Sequence, residues 1–229
     1  MTFFRVPRNA VSIEKTLLAA LGATLACLAL FALWPDLDLA VARRFFDAGH
    51  FIGRTRTGEI LRSVFYDAPY VILGLLLVAY AARRLGKTRR GPDGRAVIFL
   101  LASLALGPGL LVNGVLKENS HRPRPEQTVE FGGPWRFRPY EAFDGECRRN
   151  CSFVSGEVAA SSWTLAPALL APPPFRVLAV GAALAFTAAT GALRMSFGGH
   201  YLSDALLAAL FTFLIVLGFY RWYLGRPKH

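Results

Sequence analysis

The chain has 229 residues, of which 54% are hydrophobic, and its formal net charge is +11. This hydrophobic fraction exceeds that of an ordinary soluble domain, and apolar runs of about 17–23 residues recur, each long enough to cross a bilayer core of ~30 Å. Three cysteines are too few for a disulfide scaffold or a four-thiolate metal site. The composition therefore predicts one polytopic membrane domain, residues 1–229, built as an all-α bundle.

The positive charge is unevenly distributed between the segments that link the apolar runs. One set of links, which includes the basic loop 83–95, carries the whole excess, whereas the other set carries as many acidic as basic residues. This asymmetry is typical of a cytoplasmic face beside anionic lipid, so it argues against nucleic acid as a partner. We expect both termini on that basic side.

Six apolar segments are predicted to span the membrane. The first, 16–34, is interpreted as a span rather than a signal peptide, because the run is long and no small-residue cleavage site follows at once. A mixed-charge loop with a short interfacial helix at 39–46 precedes the second span, 68–82. The third, 96–116, contains Gly107-Pro108-Gly109, which should kink or locally unwind it. The last three are 156–170, 177–193 and 201–220.

The most informative stretch opens the last span. If His200 begins a helix, Asp204 lies one turn later on the same face. Its carboxylate could accept the imidazole Nδ1–H, fix the tautomer and leave Nε2 free as a nucleophile. Arg194 precedes His200 across a Gly-Gly bend, and a guanidinium there suits a phosphate. The alternative is an interfacial His–Asp pair that caps a membrane helix while the arginine extends to the headgroups.

Two further polar segments are expected at the same side of the membrane. Lys117 ends the third span and Arg124 follows seven residues later. The lysine ammonium supplies a point charge, the arginine guanidinium supplies a planar set of donors, and prolines stiffen the loop that carries them. Ser155 can cap the fourth span, whose first N–H groups and dipole form an anion site, with Glu157 in the first turn. The alternatives are an ordinary juxtamembrane basic cluster and a helix with a favourable acidic start.

Together the three segments resemble the type 2 phosphatidic acid phosphatase superfamily. The pattern covers roughly residues 96–220 and reads Lys117-x6-Arg124-Pro125, then Ser155-Gly156, then Arg194-x5-His200-x3-Asp204. The resemblance implies a six-helix bundle that hydrolyses a phosphomonoester or diphosphate through a phosphohistidine, without a metal or other cofactor. It makes His200 the nucleophile and Asp204 its orienting carboxylate. The phosphate-binding residues that it implies are Lys117, Arg124, Ser155, Gly156 and Arg194.

Two departures from the family pattern are informative. Glu157 stands where the second motif usually ends in histidine, and Leu193 stands where the third usually has serine. The strings at 107–113, 150–154 and 194–200 resemble the lipid A 4′-phosphatase branch, in which an acidic residue similarly replaces the histidine. We expect Glu157 to protonate the leaving oxygen as general acid. Nearby lipid would raise its pKa, the cations would lower it, and a bound phosphate dianion would favour the protonated form.

The resulting hypothesis is a phosphatase of the bacterial inner membrane that removes a lipid A phosphate, specifically the 4′-phosphate, at the periplasmic face. Its expected partners are the lipid phosphate and the bilayer, with no obligate protein partner. The same chemistry on phosphatidylglycerophosphate, undecaprenyl diphosphate or phosphatidic acid remains open, as does phosphotransfer to a lipid acceptor. A non-catalytic lipid-binding or transport protein is a further alternative, supported only by the missing histidine.

Two cysteines precede the second motif. Cys147 and Cys151 are separated by three residues in a loop that would face an oxidising compartment. A disulfide there would brace the approach to Ser155. Two free thiols are the alternative.

Overall fold

The computed structural model describes residues 10–225, with side chains described from 13 to 223. The described part of the chain is mainly helical, with one two-stranded antiparallel hairpin and a long irregular loop between residues 131 and 156. Its elements in chain order are α1 (Ala10–Leu33), α2 (Asp36–Arg43), β1 (Phe46–Asp47), β2 (His50–Phe51), α3 (Arg56–Arg84), α4 (Gly94–Leu104), a π-helical segment (Ala105–Leu116), α5 (Lys117–Asn119), 3₁₀ turns (Pro125–Gln127 and Val129–Phe131), α6 (Gly156–Trp163), α7 (Leu165–Leu170), α8 (Pro173–Ser196) and α9 (Leu202–Gly225).

Five helical stretches in the described residues are long and apolar enough to cross a membrane. They are Ile13–Leu33, Arg56–Arg84, Gly94–Asn119, Pro173–Ser196 and Leu202–Tyr223. These stretches confirm an all-α multi-pass membrane protein. The predicted span 156–170 is instead divided at Thr164 into α6 and α7, and both helices are short. The two termini, which the charge pattern assigns to the basic side, lie outside the described residues.

The third span contains the irregularity that its Gly-Pro-Gly sequence predicts. The backbone changes from α-helix to π-helix at Ala105, and Pro108 lies inside the π-helical segment. Proline has no N–H to donate, so it interrupts the regular bonding of the helix. The Asn113 side chain donates to the Pro108 carbonyl at 2.7 Å. This segment ends at Leu116 and delivers Lys117 to the end of the bundle that carries the sequence motifs.

The core is organised around α9 and α6. Helix α9 packs against α1 and α6, and α6 also packs against α8, α3 and the π-helical segment. Most side chains of α6 are small and buried, and the buried Trp163 at its end donates from Nε1 to the Leu100 carbonyl at 3.1 Å. Small side chains allow close helix approach in a membrane bundle. Helix α6 is therefore enclosed by longer helices, with its first turn at the motif-bearing end.

Two elements between α1 and α3 cover that end. The short helix α2, predicted at 39–46, is observed at Asp36–Arg43 and packs on α1 and α9. The hairpin β1–β2 follows, and Phe51 packs with Phe131 and Tyr201 in a small apolar cluster. Helix α3 then begins at Arg56, with the Thr55 hydroxyl accepting from the Gly58 N–H at 3.0 Å. Because of this cap, α3 begins twelve residues before the predicted second span at 68–82.

Candidate active site

His200 lies in the short break between α8 and α9, and its side chain is buried with 2% exposure. Its Nδ1 lies 2.7 Å from the Ser152 carbonyl oxygen. A carbonyl can only accept, so Nδ1 carries the proton and Nε2 presents its lone pair. Burial lowers the pKa of His200 to about 4, although Asp204 opposes the shift. The imidazole is therefore neutral at pH 7, as a nitrogen nucleophile requires.

Asp204 is held close to this histidine without binding it directly. Its Oδ2 is 3.8 Å from His200 Nδ1, so the Nδ1 partner is the Ser152 carbonyl rather than the carboxylate that the spacing suggests. Oδ2 instead accepts from the Ser152 hydroxyl at 2.5 Å and from the Tyr201 N–H at 2.8 Å. The second contact caps the N-terminus of α9. Asp204 thus fixes both chain segments that hold the imidazole.

Arg122, which the sequence did not single out, is the other partner of Asp204. Its guanidinium is 1% exposed and donates to Asp204 Oδ1 at 2.6 Å and to Asp38 Oδ2 at 2.7 Å. It also donates to the Ser203 hydroxyl at 2.8 Å and stacks over the Tyr201 ring at 4.4 Å. These two carboxylates and one guanidinium form a buried charge network that joins α2, the loop after α5 and the start of α9.

Glu157 is at the first turn of α6 and is bound by two arginines. Arg62 from α3 donates to Glu157 Oε1 from Nη2 at 2.9 Å and from Nε at 3.2 Å. Arg194 Nε lies 3.4 Å from the same oxygen. Burial acts to raise the pKa of Glu157, but the hydrogen bonds from Arg62 and the charge of Arg194 outweigh it, so the pKa is lowered. The carboxylate is therefore ionised in this arrangement of charges.

The predicted phosphate-binding cations gather around this carboxylate. Lys117 interacts electrostatically with Arg124, Arg194 and Glu157. Arg194 is 3% exposed, and its Nη1 has no hydrogen-bond partner among the described residues. Buried donors are normally paired, so an unpaired guanidinium nitrogen indicates readiness for a ligand. A Cβ at Gly199 would lie 2.5 Å from Arg194 Nη2, so a larger residue there would displace this guanidinium.

The second motif forms the helix start that its sequence predicts. Ser155 is the N-cap of α6 and its hydroxyl accepts from the Val158 N–H at 3.4 Å. Its own N–H donates to the Asp204 carbonyl at 3.2 Å, so the start of α6 lies beside the start of α9. A Cβ at Gly156 would lie 2.5 Å from Asn113 Oδ1, so a larger residue there would displace the Asn113 amide from its position in the π-helical segment. The free N–H groups of this first turn suit an anion.

A disulfide braces the loop that precedes Ser155. It joins Cys147 to Cys151 and closes a loop whose Asn150 carbonyl accepts from Arg124 Nη2 at 2.9 Å. The next residue, Ser152, supplies the carbonyl that binds His200. The disulfide therefore stabilises the positions of a cation and of the imidazole together.

Fold and site define a class: a multi-pass helical membrane protein with a buried neutral histidine beside a cluster of cations. The family model described as PAP2 superfamily matches residues 96–228. The chain belongs to the PAP2 superfamily.

Curated relatives extend the similarity beyond that region. A lipid A 4′-phosphatase of Rhizobium leguminosarum is 35% identical over an alignment of 206 positions that covers 83% of this chain and 88% of the relative. The lipid A 4′-phosphatase of Rhizobium etli is also 35% identical, over 83% of this chain and 80% of its own. That of Francisella tularensis subsp. novicida is 31% identical over 80% and 85%. No solved structure matches the chain.

Proposed function

We propose that this protein is a lipid phosphatase that removes a phosphate group from lipid A through a phosphohistidine at His200. The observation that carries the proposal is the state of that imidazole. It is buried and neutral, its Nδ1–H is bound by the Ser152 carbonyl, and it lies among cationic side chains. A fixed tautomer with a free Nε2 is what nucleophilic attack on phosphorus needs. Names of relatives at 31–35% identity supply the substrate class.

The first half-reaction forms a P–N bond and breaks a P–O bond. Nε2 of His200 attacks phosphorus while Lys117, Arg124 and Arg194 stabilise the charge on the equatorial oxygens. Glu157 gives a proton to the departing sugar oxygen. Phosphate monoesters lose their second proton near pH 6, so a substrate bound as the monoanion can supply that proton to the ionised carboxylate. A bound dianion also favours the protonated form of Glu157.

The second half-reaction reverses the roles. The Glu157 carboxylate accepts a proton from a water molecule, whose oxygen attacks phosphorus and breaks the P–N bond. Inorganic phosphate is released, and His200 returns to its neutral form. In this proposal Asp204 is a positioning residue, because it binds Ser152 and the N-terminus of α9 rather than the imidazole.

Charge and topology support the position that we propose for the reaction. The basic loop between α3 and α4 is at the opposite end of the bundle from the motifs, which is the arrangement expected of a cytoplasmic loop. In this proposal the protein resides in the bacterial inner membrane, the site faces the periplasm, both termini are cytoplasmic, and the lipid chains remain in the bilayer. The relatives' names specify the phosphate at the 4′ position.

A substrate panel tests this function. Purified protein in detergent should release inorganic phosphate from lipid A, and mass spectrometry should show loss at the 4′ position. Phosphatidylglycerophosphate, undecaprenyl diphosphate and phosphatidic acid serve as competing substrates. Preference for one of these would retain the chemistry and reject lipid A. Loss of phosphate from lipid A without free phosphate would indicate transfer to an acceptor, and inactivity on every lipid would favour a binding protein.

Replacing Glu157 with glutamine should lower kcat by about 10²–10⁴-fold, the contribution typical of general acid–base catalysis. Glutamine retains the shape of the side chain but carries no transferable proton. Phosphate release from lipid A is the measurement, with Glu118→Gln as control because Glu118 is exposed. Near-wild-type kcat in Glu157→Gln would reject the general acid assignment.

A further inference from the structure

Arg62 enters the site from a part of the chain that the family match does not include. It belongs to α3, whereas the match covers residues 96–228. Both Nε and Nη2 donate to Glu157 Oε1, and Nε also reaches Oε2 at 3.4 Å. The guanidinium lies 5.8 Å from the centre of the Phe197 ring, next to the end of α8. These contacts fix the plane of the guanidinium against the carboxylate.

The two arginines that contact the Glu157 carboxylate differ in exposure and in hydrogen bonding. Arg194 is fully enclosed and retains an unpaired Nη1 for a ligand. The side chain of Arg62 is 38% exposed and directs two donors to Glu157. Two donors of one planar guanidinium that converge on Oε1 fix the orientation of the carboxylate as well as supplying charge. Arg62 therefore determines where the carboxylate points, and Arg194 remains available for phosphate.

The charge balance of the pair suits a group that must gain and lose one proton. With Glu157 ionised the pair is neutral, and with Glu157 protonated it has one positive charge and one transferable proton. A carboxylate alone beside Lys117, Arg124 and Arg194 would be free to rotate toward any of them. The guanidinium of Arg62 prevents this rotation by holding Oε1 of Glu157 in place.

We infer that Arg62 is a positioning residue for Glu157, fixing its carboxylate for proton transfer in both half-reactions. The inference rests on the proposed role of Glu157. Arg62→Gln should therefore lower kcat by about 10–100-fold, the cost of a misplaced catalytic group, with little change in KM. Arg62→Lys keeps the charge without the two converging donors and should recover only part of kcat.

The experiment is a double-mutant cycle of Arg62→Gln and Glu157→Gln, with phosphate release from lipid A as readout. Once Glu157 is glutamine there is no carboxylate to position, so Arg62→Gln should then change kcat by less than about threefold. Glu59→Gln is the matched control, because it removes the other carboxylate near Arg62 (3.7 Å) and leaves the two donors on Glu157. It should change kcat by less than about threefold. Thermal unfolding in detergent checks that each variant is folded.

The possible results distinguish the role of Arg62 from the role of Glu157 and from the proposed function. Equal losses from Arg62→Gln in both backgrounds, with raised KM, would show that Arg62 binds substrate and would overturn the inference alone. Unchanged kcat in Arg62→Gln together with impaired Glu157→Gln would also overturn it and leave the proposed function intact. Unimpaired Glu157→Gln would overturn the role of Glu157 and this inference with it, as would wild-type protein that releases no phosphate from any lipid.

Discussion

Replacing Arg122 with methionine should lower the free energy of unfolding by about 3–5 kcal/mol, the usual cost of removing one partner from a buried charge pair. Methionine occupies a similar length without the charge. The carboxylates of Asp38 and Asp204, 2% and 0% exposed, would lose the guanidinium that both contact. Burial already raises the pKa of Asp38 and Arg122 opposes that shift, so the variant should leave a costly buried charge or force its protonation.

Denaturant-induced unfolding in detergent measures this loss. Asp38→Asn, which keeps the pair between Arg122 and Asp204, should cost less and supplies a second measurement if Arg122→Met does not fold. Arg221→Gln is a matched control, because Arg221 pairs with Glu14 at the surface with both side chains about half exposed. An exposed pair contributes at most about 1 kcal/mol. A loss in Arg122→Met no larger than this control would mean that the buried network does not stabilise the fold.

Replacing His200 with alanine should reduce turnover by about 10⁴–10⁶-fold, as expected when the group that forms the covalent intermediate is removed. The cations of the site would still bind phosphate, so KM should change far less than kcat. Single-turnover release of phosphate from lipid A is the measurement. His50→Ala removes an exposed imidazole on β2 and should keep wild-type turnover. Turnover within about tenfold of wild type in His200→Ala would exclude His200 as nucleophile.

Much of the fold was predictable because hydrophobic length and charge asymmetry determine where a chain crosses a membrane. Hydrophobic length alone does not predict the bounds of α3 or the interruption in the segment 156–170. Hydropathy detects only the apolar part of α3. The helix begins at Arg56, before this apolar part, because its backbone hydrogen bonds form within the helix whatever the polarity of the side chains. The segment 156–170 is predicted as one continuous helix, but a break at Thr164 divides it into α6 and α7.

The candidate site was predictable to the extent that its residues lie within short motifs. His200, Asp204 and Arg194 share eleven positions of sequence, and the structure holds them around the start of α9. Arg62 was missed because it is 95 residues from Glu157 and lies in a segment whose sequence predicts only a mixed-charge loop. Arg122 was missed although it lies between Lys117 and Arg124, because spacing cannot show which of several cations is buried.

The contact between Ser152 and His200 illustrates the remaining gap. Backbone carbonyls carry no sequence signal, so the spacing of His200 and Asp204 favoured a side-chain partner for Nδ1. The structure assigns that contact to a carbonyl held by the neighbouring disulfide and by Asp204. The Asp204 carboxylate therefore holds the segments that enclose the imidazole and does not bind the imidazole itself.

The most direct test of this account is to search for phosphate on His200 during turnover. Protein mixed with excess lipid A is stopped within one turnover at alkaline pH, digested, and the peptides are examined by mass spectrometry. We expect an acid-labile phosphate on His200 in the wild-type protein and none in His200→Ala. Turnover of lipid A by wild-type protein with phosphate on another residue, or with no phosphorylated intermediate on any residue, would contradict it.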